Sequence, residues 1–136
     1  MIATAPPRFR LDASTGVPFY RQIIDQVLLG VADGRLRAGE QLPTVRQLAV
    51  DLSVNLNTVA KAYREMEIRG IVQTQQGTGT FVSDRAPEGR TAERKKALDR
   101  LVEETLVRAA SKGFTEDETV RAFAERALAR AARRER

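Results

Sequence analysis

The sequence predicts a mainly α fold with one small β-hairpin and a two-helix tail. Three observations predict it. Apolar residues recur at helical spacing in five separate segments. The pattern changes once, after Gly70, to two β-capable runs around Gly77-Thr78-Gly79. The composition, 30% charged and only 5% aromatic with Ala, Leu, Glu and Arg prominent, favours helix over sheet.

The first helix opens at Pro18, whose missing N–H is not needed in a first turn. Tyr20, Ile23, Ile24, Val27, Leu28 and Val31 form its apolar stripe, and Gly34 stops it. Ahead of it, Phe9-Arg10-Leu11 alternates apolar and basic, as a short extended segment packing on that helix would. Residues 36–43 read as a loop punctuated by Gly39 and Pro43. Thr44-Val45-Arg46-Gln47 is a capping-box pattern, in which the Thr hydroxyl accepts from the Gln47 N–H and the Gln47 side chain reaches back. Val45, Leu48, Ala49 and Leu52 face inward from the short helix that follows.

A tight turn, Ser53-Val54-Asn55-Leu56, leads to another helix with Asn55 as its cap. Its inward stripe is Val59, Ala62, Tyr63 and Met66, and Gly70 ends it in a left-handed conformation. The opposite face carries Asn57, Thr58, Lys61, Arg64 and Glu65. Two β-capable runs, 71–76 and 80–82, then form the hairpin. Beyond a linker at 84–91, a helix from about Ala92 to Ser111 is expected to bury Leu98, Leu101, Val102, Thr105 and Ala109. Thr115-Glu116-Asp117-Glu118 is a second capping box, with acids where the helix dipole favours them. It opens a helix striped by Val120, Phe123, Ala124, Ala127, Leu128 and Ala131, whose basic end, 130–136, is expected to fray.

At 136 residues the chain has room for one compact domain and a small appendage. There is no Cys, which excludes disulfides and thiolate metal sites, and no His, which removes most nucleophile–base pairs and zinc sites. An enzyme is therefore not expected, nor a cofactor, nor a metal. No apolar run approaches the ~20 residues of a membrane span. Residues 1–7 lack the pattern of a signal peptide. The expectation is a soluble cytoplasmic protein with no membrane partner. The net charge of +5 is thinly spread, with 10 basic against 8 acidic side chains in residues 1–86 and 13 against 10 beyond. Charge alone thus gives weak support for nucleic acid.

The order helix, short helix, turn, helix, hairpin is that of a winged helix-turn-helix, which places its second helix in the DNA major groove. Taken singly, its residues have bland explanations. Asn55 caps a helix in any protein, Lys61 and Arg64 suit a solvated face or ion pairs with Glu65, and Tyr63 suits the core. Only the ordered combination points to DNA. A winged-helix module for protein–protein contact is the alternative, which an apolar outer face would favour; the face here is polar.

Four motifs also resemble one family. Pro18-Phe19-Tyr20-Arg21-Gln22-Ile23 is similar to the opening of the YtrA-like and MocR-like branches of the GntR superfamily. Residues 39–49, Gly-Glu-Gln-Leu-Pro-Thr-Val-Arg-Gln-Leu-Ala, resemble that family's approach to its second helix. Residues 55–63, Asn-Leu-Asn-Thr-Val-Ala-Lys-Ala-Tyr, resemble its recognition helix, and Gly77-Thr78-Gly79-Thr80-Phe81-Val82 its wing. The resemblance covers residues 9–83. It implies a bacterial regulator, usually a repressor, that binds a palindromic operator as a homodimer, with a recognition helix at about 55–69 and a wing at about 71–82. It further implies DNA contacts from Thr44, Arg46, Asn55, Asn57, Thr58, Lys61 and Arg64, and from Gly77, Thr78 and Gly79 at the minor groove.

The chain departs from the family at Leu56, where YtrA-like members commonly have Pro or a basic residue. It departs again at Gln75, Gln76 and Thr78, where the wing often carries Arg or Lys. Fewer neutralised phosphates imply a flatter salt dependence. The tail, 92–136, is too short for a ligand-binding bundle or an aminotransferase-like domain and matches the YtrA-like branch. The apolar stripes could pack back on the winged domain, but a bare two-helix hairpin would expose them, so Leu98, Leu101, Val102, Val120, Phe123 and Leu128 are expected to pair with a second chain. A small-molecule effector stays open as a partner, although no convergent polar cluster marks its site.

Overall fold

The computed structural model of the chain describes residues 8–84 and 91–134. It divides into two compact units, Met1–Ala86 and Pro87–Arg136. In the first, α1 (Phe19–Ala32), α2 (Val45–Leu52) and α3 (Leu56–Ile68) precede the antiparallel strands β1 (Val72–Gln75) and β2 (Gly79–Val82). The second holds α4 (Thr91–Ser111) and α5 (Glu116–Arg134).

The core of the first unit is aliphatic, as a chain without Trp requires. Ile23, Ile24 and Val27 of α1 meet Leu48 and Ala49 of α2, Val59, Ala62 and Met66 of α3, and Val72 and Val82 of the hairpin. Pro18 proves to be the residue before the first helical turn. Its ψ of 143° is extended, and its carbonyl accepts from the Gln22 N–H at 3.1 Å. Val31, expected in the inward stripe, is 43% exposed. Leu36 instead folds over Gly30, where an added Cβ would lie 2.9 Å from its Cδ1.

Phe9 and Leu11 pack on this core as expected, but no strand pairs with them. Two glutamines one turn apart on α1 take that place. Arg10 donates its N–H to Gln26 Oε1 at 2.8 Å and accepts from Gln26 Nε2 at 2.6 Å. Asp12 exchanges the same pair with Gln22, at 2.8 and 2.9 Å. Each amide mimics the backbone of a neighbouring strand.

Residues 39–42, read as loop, run along the far side of β2. Gly39 and Leu42 donate to the carbonyls of Val82 and Thr80, and Val82 donates to Glu40, each at 2.8 Å. The hairpin is thereby bound to the chain leading into α2.

Both caps of the helix-turn-helix form. The Gln47 N–H donates to Thr44 Oγ1 at 3.0 Å, and the Asn57 N–H to Asn55 Oδ1 at 2.8 Å. The reciprocal half of the first capping box does not form. The Gln47 side chain reaches forward instead, where Nε2 donates to the Asp51 carboxylate, at Oδ1, over 2.7 Å, a charge-assisted bond. Leu56 belongs to α3 rather than to the turn, which is Ser53-Val54-Asn55. Ser53, at φ 53°, is the one non-glycine residue with positive φ among the described residues.

In the second unit the Thr115 box is complete. The Glu118 N–H donates to Thr115 Oγ1 at 3.1 Å, and the Thr115 N–H to Glu118 Oε2 at 2.8 Å. In the single chain its apolar stripes lie open, as expected of a bare two-helix hairpin. Phe123 is 59% exposed and Leu128 70%, and Leu98, Leu101, Val102 and Val120 are likewise exposed. A single helical hairpin covers only the strip where its helices touch, so most of each stripe still faces outward. The last helix, α5, is described as far as Arg134. The linker expected at 84–91 falls, for residues 85–90, outside the described residues.

Candidate nucleic-acid interface

Three features hold the recognition elements in place. The inward stripe of α3, Val59, Ala62, Tyr63 and Met66, is buried and fixes which face of that helix points out. The Tyr63 hydroxyl donates to the Pro43 carbonyl at 2.6 Å and so ties α3 to the residue before the α2 cap. Burial pushes this phenol far above the ordinary tyrosine range and keeps it a neutral donor. The third feature is a brace on the wing. Gln41 Nε2 donates to the Thr78 carbonyl at 3.1 Å.

That brace explains Gly79. Its φ is 136°, and a Cβ there would lie 2.5 Å from Gln41 Nε2. Gln41 was not among the expected site residues. Its partner lies 37 positions away, and nothing in the local pattern announces it.

Eight of the ten expected residues fall on two helix N-termini and one hairpin tip, and Lys61 and Arg64 lie further along α3. Thr44 and Arg46 stand exposed at the start of α2. Asn55 and Asn57 stand exposed at the start of α3, and Thr58 is half-buried beside them. Gly77 and Thr78 are exposed at the tip of the wing. Backbone N–H groups and the positive dipole end of each helix therefore lie beside neutral and cationic side chains, which suits phosphate.

Arg46, Lys61 and Arg64 are exposed and make no ion pair among the described residues, so the expected alternative of pairing with Glu65 is not seen. Lys61 has another partner. Its ammonium stands 4.1 Å from the centre of the Tyr20 ring on α1. The wing carries Gln73, Thr74, Gln75, Gln76 and Thr78, all uncharged and exposed. Among the described residues, no helix is long and apolar enough to cross a membrane.

A short helix, a three-residue turn, a helix with a polar outer face and a braced hairpin define a winged helix-turn-helix, a DNA-binding class. Comparison with known proteins agrees. The family of bacterial regulatory proteins described as the gntR family matches residues 19–82. The chain is 38% identical over 97 residues to the HTH-type transcriptional repressor YtrA of Bacillus subtilis (strain 168), covering 68% of this chain and 75% of that one. It is 39% identical over 102 residues to the uncharacterized HTH-type transcriptional regulator YhcF of the same organism, covering 74% and 83%.

Among solved structures, YtrA from Sulfolobus acidocaldarius, a GntR-family transcription factor, aligns with a TM-score of 0.57 at 29% identity, over 73% of this chain and 97% of that one. A transcriptional antiterminator from Listeria monocytogenes EGD-e aligns with a TM-score of 0.72 at 26% identity, over 90% and 92%. The chain belongs to the gntR family of bacterial regulatory proteins, and the YtrA-like likeness expected from its motifs is borne out. It is a transcriptional regulator.

Proposed function

We propose that the chain represses transcription by binding a palindromic operator as a homodimer. The N-terminal turn of α3 enters the major groove, where Asn55, Asn57 and Thr58 reach base edges. Thr44 and Arg46 at the start of α2, with Arg64 and Lys61 on α3, contact phosphate. Gly77, Thr78 and Gly79 bring the wing to the minor groove. The observation that carries this reading is the outer face of α3. It carries Asn57, Lys61 and Arg64 exposed, the two cations without an ion pair among the described residues, and begins at a capped N-terminus.

The dimer follows from the tail. Leu98, Leu101, Val102, Val120 and Phe123 line an apolar groove between α4 and α5, and Leu128 extends the exposed stripe. A second copy offers the same self-complementary surface. A palindromic operator presents two half-sites about 34 Å apart, one turn of DNA, for the two recognition helices of such a dimer.

Fluorescence anisotropy with the duplex upstream of the chain's own gene, against a scrambled duplex and at two salt concentrations, tests the proposal. Tight binding that the scrambled duplex does not match supports it. If that duplex fails, selection from random DNA decides. A protein that enriches no sequence is not an operator-binding regulator, and its winged helix then serves protein contact.

A further inference from the structure

We infer that Leu56 is a specificity-determining residue that reads a thymine by its 5-methyl group. The inference rests on the operator-binding reading above and adds a base preference to it. Leu56 is the first residue of α3 and is 44% exposed, although it is a large apolar side chain. Its exposure follows from its place on the helix. Val59, Ala62, Tyr63 and Met66 are the inward stripe, and Leu56 lies at the margin of that stripe, on the side shared with Ala60 one turn later.

Helical side chains tilt toward the N-terminus. Leu56 therefore projects past the first turn of α3, the end that meets base edges in helix-turn-helix docking. Asn55 and Asn57 flank it in sequence, but the Asn55 side-chain oxygen is already committed to the Asn57 N–H. Leu56 has no hydrogen-bonding atom, so it can distinguish base pairs only through the one apolar group that the major groove displays. That group is the thymine methyl. Ala60, small and half-buried, adds no bulk beside it and lets that edge of the helix come close to the bases.

The test uses the full chain and the duplex it enriches from random DNA. Each thymine of that duplex is replaced singly by uracil, which deletes the methyl and leaves base pairing unchanged. Affinity should fall about three- to fivefold at one thymine in each half-site, the amount one buried carbon contributes. Leu56→Ala should lose a similar factor on the natural duplex and no longer respond to uracil at that position. Leu56→Met, which keeps an apolar reach, should still respond.

Thermal melting of both variants checks that the fold is intact, as expected for a side chain outside the core. If Leu56→Ala responds to every uracil as the unmodified protein does, Leu56 does not read a methyl. A protein that enriches no duplex overturns the operator-binding reading and this inference with it.

Discussion

The ammonium of Lys61 on α3 sits over the face of Tyr20 on α1, 4.1 Å from the ring centre. The ring takes one side of a group with three N–H donors and leaves the rest facing solvent. Lys61 thus joins the recognition helix to the first turn of α1, and its charge is held back toward that helix. Such a lysine supplies charge to phosphate rather than reading a base. Lys61→Ala should weaken binding by a similar factor on every duplex and lower the salt slope by about one. A loss confined to one sequence, with the slope intact, would mean that Lys61 reads a base. Lys61→Ala should cost about 0.5–1 kcal/mol of stability through the lost cation–π contact, Tyr20→Ala more because the ring also packs on the core, and the two together less than their sum.

The brace on the wing makes a second prediction. Gly79→Ala combines an unfavourable φ with a collision against Gln41, and should lose about 1–3 kcal/mol in urea denaturation. Removing the obstacle with Gln41→Ala should recover part of that loss, because only the backbone strain then remains. A double variant no better than Gly79→Ala alone would show that Gln41 does not crowd this glycine.

Thr44 offers a simpler test. Only its own hydroxyl caps α2, since Gln47 has turned to Asp51. Thr44→Ala should therefore cost about 1 kcal/mol, whereas Thr44→Ser should cost little. Gln47→Ala should not reproduce the loss of the cap.

Tyr63 predicts a pH dependence. Burial raises its folded pKa, while in the unfolded chain the phenol ionises near 10. The stability contributed by the neutral phenol is complete below about pH 10 and is lost as pH rises beyond it. Denaturation midpoints should fall above that pH, and Tyr63→Phe should flatten the fall. Parallel declines for both proteins would assign the alkaline loss to other groups.

The tail is tested by charge. Phe123→Asp and Leu128→Asp should each shift the protein toward monomer in sedimentation and lower operator affinity, because one half-site replaces two. The unmodified protein should sediment as a dimer at micromolar concentration. A monomer there would overturn the assignment of these faces to a second copy.

The helices were legible because their signals are local. A stripe such as Val59, Ala62, Tyr63 and Met66, a cap such as Asn55 and a stop such as Gly70 all act within one or two turns, where sequence spacing and spatial proximity coincide. Local signals misled where two partners competed. Gln47 had a backbone N–H behind it at Thr44 and a carboxylate ahead at Asp51, and spacing did not show that it would reach forward. Nor did it show that Leu36, rather than Val31, would close the end of α1.

What lay beyond local reach was the choice of distant partners. Gln41 and Thr78, Gln26 and Arg10, Tyr63 and Pro43, and Lys61 and Tyr20 are separated by 16 to 41 positions. Each pair meets only once the core has brought its elements together. By itself the sequence determined the order of elements, their inward faces and the family, since these follow from spacing, capping and turn chemistry. The tertiary structure alone decided that residues 39–42 would join the sheet, that Gly79 would admit Gln41, and that Lys61 would turn to Tyr20. Packing fixes the angles between elements, and those angles determine which side chains come within reach.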